Sequence, residues 1–87
     1  MRQLVFGRKF LRSAKNLDKK LGLGLKLSLD VLLDDPFRPT LHTKPLTGGL
    51  SKYYSFRFGR NYRVIFRFVS NDIIQLIDVG HRRDIYR

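Results

Sequence analysis

Apolar positions along this chain follow two periods, and the change from one to the other divides it. Residues 2–6, Arg-Gln-Leu-Val-Phe, read as a short strand. From Arg8 onward Phe10, Ala14, Leu17 and Leu21 recur three and four apart, the spacing that gathers side chains on one helix face. Leu21, Leu25, Leu29 and Leu33, with Leu32 beside them, continue the stripe. It must end at Asp35, because Pro36 disfavours helical geometry in the residue before it. Asn16 or Asp18 is placed to cap a second helix and so divide the stripe into a helical hairpin. Gly22 and Gly24 either lie inside that helix, at up to ~1 kcal/mol each relative to alanine, or mark the turn between the helices. Leucines in such a stripe build core, and no other role is assigned to them.

Pro36, Pro39, Pro45 and Gly48-Gly49 then punctuate an irregular connection. Beyond it the period becomes two. In residues 52–58, Tyr54, Phe56 and Phe58 share one face while Tyr53, Ser55 and Arg57 share the other. Gly59-Arg60-Asn61 makes a hairpin turn. Residues 62–69 alternate again, with Tyr62, Val64, Phe66 and Phe68 opposed to Arg63, Ile65, Arg67 and Val69. A turn at Ser70-Asn71-Asp72 leads to a last strand over 73–79. The expectation is a single α+β domain over residues 1–87: a short strand, a helical hairpin, then a three-stranded antiparallel meander. Its helices cover the aromatic face and leave Arg57, Arg63 and Arg67 on the uncovered one.

Composition narrows the chemistry. At 87 residues one small core is possible, burying roughly 60–65% of the unfolded surface. The absence of cysteine excludes a disulfide scaffold, a cysteine-based zinc site and a thiol nucleophile. Apolar runs such as Val31-Leu32-Leu33 and Val64-Ile65-Phe66 fall far short of the ~7–15 residues of a signal-peptide core or the ~20 of a membrane span. A soluble, cytoplasmic protein without membrane contact is expected. Charge is the strongest compositional fact: 18 Lys and Arg against 7 acids, a net +11. Between Pro36 and Asn71 no acid occurs, whereas Arg38, Lys44, Lys52, Arg57, Arg60, Arg63 and Arg67 all do. Such a surface suits a polyanion, either nucleic acid or an acidic partner segment.

Arginines on neighbouring strands lie ~5–8 Å apart on one face, close enough to form one positive surface with Tyr53 beside it. Each guanidinium stays charged and can hold a phosphate through two parallel hydrogen bonds, and a tyrosine ring can stack on a base. The plainer alternative is that these arginines cover apolar neighbours with their stems and reach to solvent. The segment Gly80-His81-Arg82-Arg83-Asp84-Ile85-Tyr86-Arg87 adds a histidine suited to proton transfer, between a glycine and two arginines. A tyrosine follows that can fold back over the same face. His42, in the proline-rich connection, lacks such company and reads as a surface or structural residue.

Four segments, in order, resemble the RelE/ParE superfamily of bacterial toxins. They are Pro45-Leu46-Thr47-Gly48-Gly49-Leu50, Tyr54-Ser55-Phe56-Arg57-Phe58-Gly59, Tyr62-Arg63-Val64-Ile65-Phe66 and Val79-Gly80-His81-Arg82-Arg83-Asp84-Ile85-Tyr86. The first half agrees in layout only. The resemblance implies a metal-independent endoribonuclease (an mRNA interferase) that needs no cofactor. Such an enzyme cuts mRNA in the ribosomal A site and is silenced by a cognate acidic antitoxin. The reaction uses the substrate's own 2′-hydroxyl as nucleophile. The protein must remove that proton, stabilise a pentacoordinate phosphorane and protonate the leaving 5′-oxygen.

On that resemblance Arg63 and Arg82 take the scissile phosphate, and Arg57 stabilises phosphate or leaving group. His81 serves as general acid or base, and Tyr86 serves in base stacking or orientation. Lys44, Lys52, Tyr53, Arg60, Arg67 and Arg83 are the wider RNA-binding set. Ser55 stands where some members carry a second lysine, and no glutamate is available to act as the base used by some relatives. Two other classes compete. ParE-like relatives poison DNA gyrase by binding without cutting RNA, and a basic binding module needs no active site. Retention of the histidine, arginine and tyrosine set favours the nuclease.

Overall fold

The computed structural model describes residues 2–48 and 52–85. The elements are β1 (Gln3–Phe6), α1 (Arg8–Ala14), α2 (Lys19–Asp34), a 3-10 turn (Pro39–Leu41), β2 (Lys44–Pro45), β3 (Tyr54–Phe58), β4 (Tyr62–Ser70) and β5 (Ile73–His81). Asp18 is the cap of α2, its Oδ1 accepting the Leu21 N–H at 2.8 Å. Gly22 and Gly24 lie inside that helix rather than between the helices. At its other end Arg2 donates to the carbonyls of Leu33 and Asp34, placing a cation where the helix dipole is negative.

The sheet of the described residues has five strands in the order β1-β5-β4-β3-β2. The meander expected from the sequence is its centre. Two strands were not legible as members: β1 pairs in parallel with β5, and Lys44–Pro45, inside the proline-rich connection, adds an antiparallel edge to β3. A proline at an edge forfeits no ladder bond. β5 also runs two residues beyond the expected end, through His81.

Both helices lie on one face. Phe10 of α1 and Leu25 and Leu32 of α2 form one buried cluster with Phe56, Phe58, Val64, Phe66, Ile74, Leu76 and Val79. Phe37, although exposed, stacks on Phe68 and meets Tyr54 edge-on at one end of this aromatic layer. The β4–β5 register slips where Ile65 pairs with Asp78 but Phe66 pairs with Leu76, so Ile77 is an extra residue on β5. That bulge lets Leu76 and Val79 both face the core, three residues apart. Among the described residues no helix is long and apolar enough to cross a membrane.

Candidate functional site

Cross-strand partners share a face, so the register sorts the candidate residues. Arg57 pairs with Arg63, and Arg63 with Gly80, placing the two arginines directly opposite one another on the face away from the helices. The adjacent row on that face is Lys44, Ser55 and Ile65, and beyond it comes Arg67 opposite Gln75. Arg67 lies two positions past Ile65 and donates to Gln75 Oε1 at 2.6 Å, so it stands apart from the Arg57–Arg63 pair. Arg63 is partly buried, and one of its terminal nitrogens donates to the Tyr62 carbonyl at 3.2 Å. Arg57 is exposed.

This face is less open than the alternation suggests. Ser55 and Ile65 are only 1% and 7% exposed. The Ser55 hydroxyl has no hydrogen-bond partner among the described residues, next to a cation pair on the same strand face. Beyond His81 the chain turns back: Arg82 N–H donates to the Asn61 carbonyl at 2.7 Å, joining it to the β3–β4 hairpin. Ile85 is buried and lies where a side chain on Gly80 would be, 3.9 Å from the position of an added Cβ. Residues 82–85 therefore close over the arginine face at its hairpin end and leave Arg82 and Arg83 exposed. Tyr86 lies outside the described residues.

His81 is placed differently from the expectation of one face closed by His81 and Arg82. It pairs with Tyr62, which pairs with Phe58, and this row belongs to the helix-covered side. The three rings contact in sequence, Phe58 to Tyr62 at 5.5 Å and Tyr62 to His81 at 5.4 Å between centroids. Its Nδ1 accepts the Arg83 N–H at 3.1 Å, which leaves Nε2 as the protonated nitrogen of the neutral ring. A strand reading that stops at Val79 carries no face assignment to residue 81, and this is why the sequence missed it.

The remaining basic candidates divide between the two sides. Lys44 is exposed on the arginine face. Lys52 is exposed in the turn before β3, and Tyr53 is half-buried beside it, its carbonyl accepting from Leu46 N–H. Arg60, in the hairpin turn, borders a cleft of about 490 Å³ between α2, the 3-10 turn and the hairpin. His42 lines the same cleft, in company the sequence did not reveal. Among the described residues no three His, Cys, Asp or Glu side chains gather in a way that would hold a metal ion.

A helical pair packed on one face of a mixed five-stranded sheet, with opposed arginines on the other, defines an α+β toxin fold. Comparison with known proteins places the chain within it: a family model described as the ParE toxin of the type II toxin–antitoxin system, parDE, matches residues 4–86. The chain belongs to that toxin family. No curated protein matches it in sequence. Among solved structures it is similar to YafQ from E. coli strain BL21(DE3), at 14% identity over 100% of both chains with a TM-score of 0.82. It is also similar to a chain of the RelB-RelE antitoxin-toxin complex from Methanococcus jannaschii, at 26% identity over 94% of each and a TM-score of 0.74. A third likeness is to the toxin-antitoxin complex RelBE2 from Mycobacterium tuberculosis, at 21% identity over 93% of this chain and 98% of that one, TM-score 0.77.

Proposed function

We propose that this toxin is a ribosome-dependent mRNA endonuclease, held inactive by a cognate acidic antitoxin. The observation that carries the reading is the Arg57–Arg63 pair. Like charges directly opposite on antiparallel strands cost stability, and a phosphate between them reverses the sign of that interaction. Two guanidiniums on one phosphate meet the central demand of 2′-hydroxyl attack, which is charge on the phosphorane oxygens. Arg82, on the turn that closes over the same face, supplies a further cation. His81 is the proposed general acid or base; as the acid it acts from the imidazolium form, which carries a proton on both ring nitrogens and gives one to the leaving 5′-oxygen. The acid-free stretch from Pro36 to Asn71 offers the antitoxin a positive surface, and the RelB-RelE and RelBE2 relatives are solved as complexes with antitoxins.

Two observations favour a second reading. His81 packs with Tyr62 on the side away from the arginine pair, and the matching family model bears the ParE name, so inhibition of DNA gyrase by binding alone is the alternative. Induced expression in growing bacteria separates the two. The nuclease arrests translation and leaves toeprints of mRNA cut in the A site. Intact messages with accumulating gyrase-cleaved DNA would overturn the nuclease reading and establish the second.

A further inference from the structure

The cleft beside the hairpin has the composition of a binding site of its own. Its volume, about 490 Å³, falls in the ~300–1,000 Å³ range of small-molecule sites and suits one nucleotide rather than an extended strand. Leu27, Val31 and Leu41 give it an apolar wall, while Thr40, His42 and Arg60 supply hydroxyl, imidazole and guanidinium; no carboxylate lines it. An aliphatic wall accepts the face of a base, a guanidinium accepts a phosphate, and an imidazole can bond to a base edge.

His42 is held there by its backbone. It is the one described residue other than glycine with positive φ, at 51°, a conformation that persists only when the surroundings impose it. They do so here: His42 N–H donates to the Pro39 carbonyl at 3.1 Å, and the neighbouring Thr43 hydroxyl donates to the Pro36 carbonyl at 2.6 Å. Pro36 is itself buried, and Pro39 opens the 3-10 turn. Arg57 borders the cleft as well as forming half of the arginine pair, so the two sites share that residue.

We propose that this cleft is a nucleotide subsite of the bound RNA. It takes a nucleotide next to the cleaved phosphate, with its base against Leu27, Val31 and Leu41, its phosphate on Arg60 and its base edge read by His42. The inference rests on the nuclease reading and makes His42 and Arg60 specificity-determining residues, distinct from the residues that touch the reacting phosphate.

The test is an NMR titration of the folded toxin with each of the four ribonucleoside 5′-monophosphates and, separately, inorganic phosphate. Saturable shifts at Thr40, His42, Gly59 and Arg60 are expected, larger for nucleotides than for phosphate and dependent on the base. His42→Ala and Arg60→Ala, both at exposed positions, weaken that binding about tenfold. The exposed control Val69→Ala does not. In a translating extract His42→Ala raises KM and redistributes the cut codons. Cleaved messages with unmoved cleft resonances would overturn the subsite and leave the nuclease standing. Base-dependent shifts in a protein that cuts no message would uphold the cleft as a nucleotide site and overturn the nuclease. Equal responses to phosphate and to every nucleotide, or a response confined to an acidic peptide, would also overturn the subsite.

Discussion

The imidazole of His81 stands edge-on to the ring of Tyr62, with centroids 5.4 Å apart and planes at 73°, on the face of the sheet opposite Arg57 and Arg63. On the proposed mechanism, the proton-transfer group and the phosphate-binding arginines therefore stand on two sides of one sheet. Packing and chemistry at residue 81 are separable for that reason.

Replacement of His81 by Phe is expected to keep the ring contact and the urea midpoint while lowering cleavage by roughly 10²–10⁴-fold, the usual worth of a positioned acid or base. His81→Ala should lose both the contact and the cleavage. Toeprinting with matched denaturation curves checks this. Full cleavage by the Phe variant would reduce His81 to a packing residue.

Arg63→Ala should lower cleavage by about 10²–10³-fold while antitoxin affinity, measured by calorimetry, changes far less. Arg63→Lys should recover only part of the loss, because an ammonium cannot present two parallel donors to a phosphate. With Arg57→Ala, the double variant should fall short of the product of the single effects if, as proposed, the two act on one phosphate. Independent, multiplicative losses would place the arginines on different groups.

The glycines of the first half should respond with opposite signs. A Cβ on Gly7 would stand 2.6 Å from the Leu76 carbonyl oxygen, where β1 passes into α1 against β5, so Gly7→Ala should destabilise by about 1–3 kcal/mol. Gly22 and Gly24 would meet nothing within 4 Å and occupy α2, so alanine at either should stabilise by about 0.5–1 kcal/mol. Urea unfolding of the three variants measures both signs.

Asp78 binds α1 to β5: its Oδ1 accepts from the Ser13 hydroxyl at 2.7 Å and from the Val79 N–H at 2.9 Å, and its Oδ2 lies 3.5 Å from Lys9 Nζ. The exposed lysine contributes little, so Asp78→Ala should cost about 1–3 kcal/mol, mainly by stranding the Ser13 and Val79 donors. Lys9→Ala should cost less than about 1 kcal/mol. A larger loss at Lys9 than at Asp78 would reverse that ranking.

Much of this was legible in the residues. The period of two in Tyr54, Phe56, Phe58 and Tyr62, Val64, Phe66 separates core from arginine face correctly, because side-chain alternation is a local property of extended chain. The stop before Pro36 was readable for the same reason, and the cap as one of two candidates, Asn16 or Asp18, of which the structure selects Asp18. What was hidden depends on distant contacts. Parallel pairing of β1 with β5 has no local signature, and Lys44-Pro45 becomes strand only because β3 lies beside it. Gly22 and Gly24 stay helical because the leucines around them pack on the sheet, which outweighs propensity. The face of His81 depends on how far β5 extends, and the company of His42 on a cleft assembled from three separate elements.

The parallel pairing of Gln3–Phe6 with Ile73–Leu76 joins segments from opposite ends of the domain. A loop of that span costs more to close than the local β4–β5 hairpin, so the β1–β5 pairing is expected to form after it. The sheet can therefore gain its β1 edge only after the residues of β5 are present. If the antitoxin docks on the cationic face as proposed, capture of a sheet still assembling would make the outcome depend on the order of events as well as on affinity.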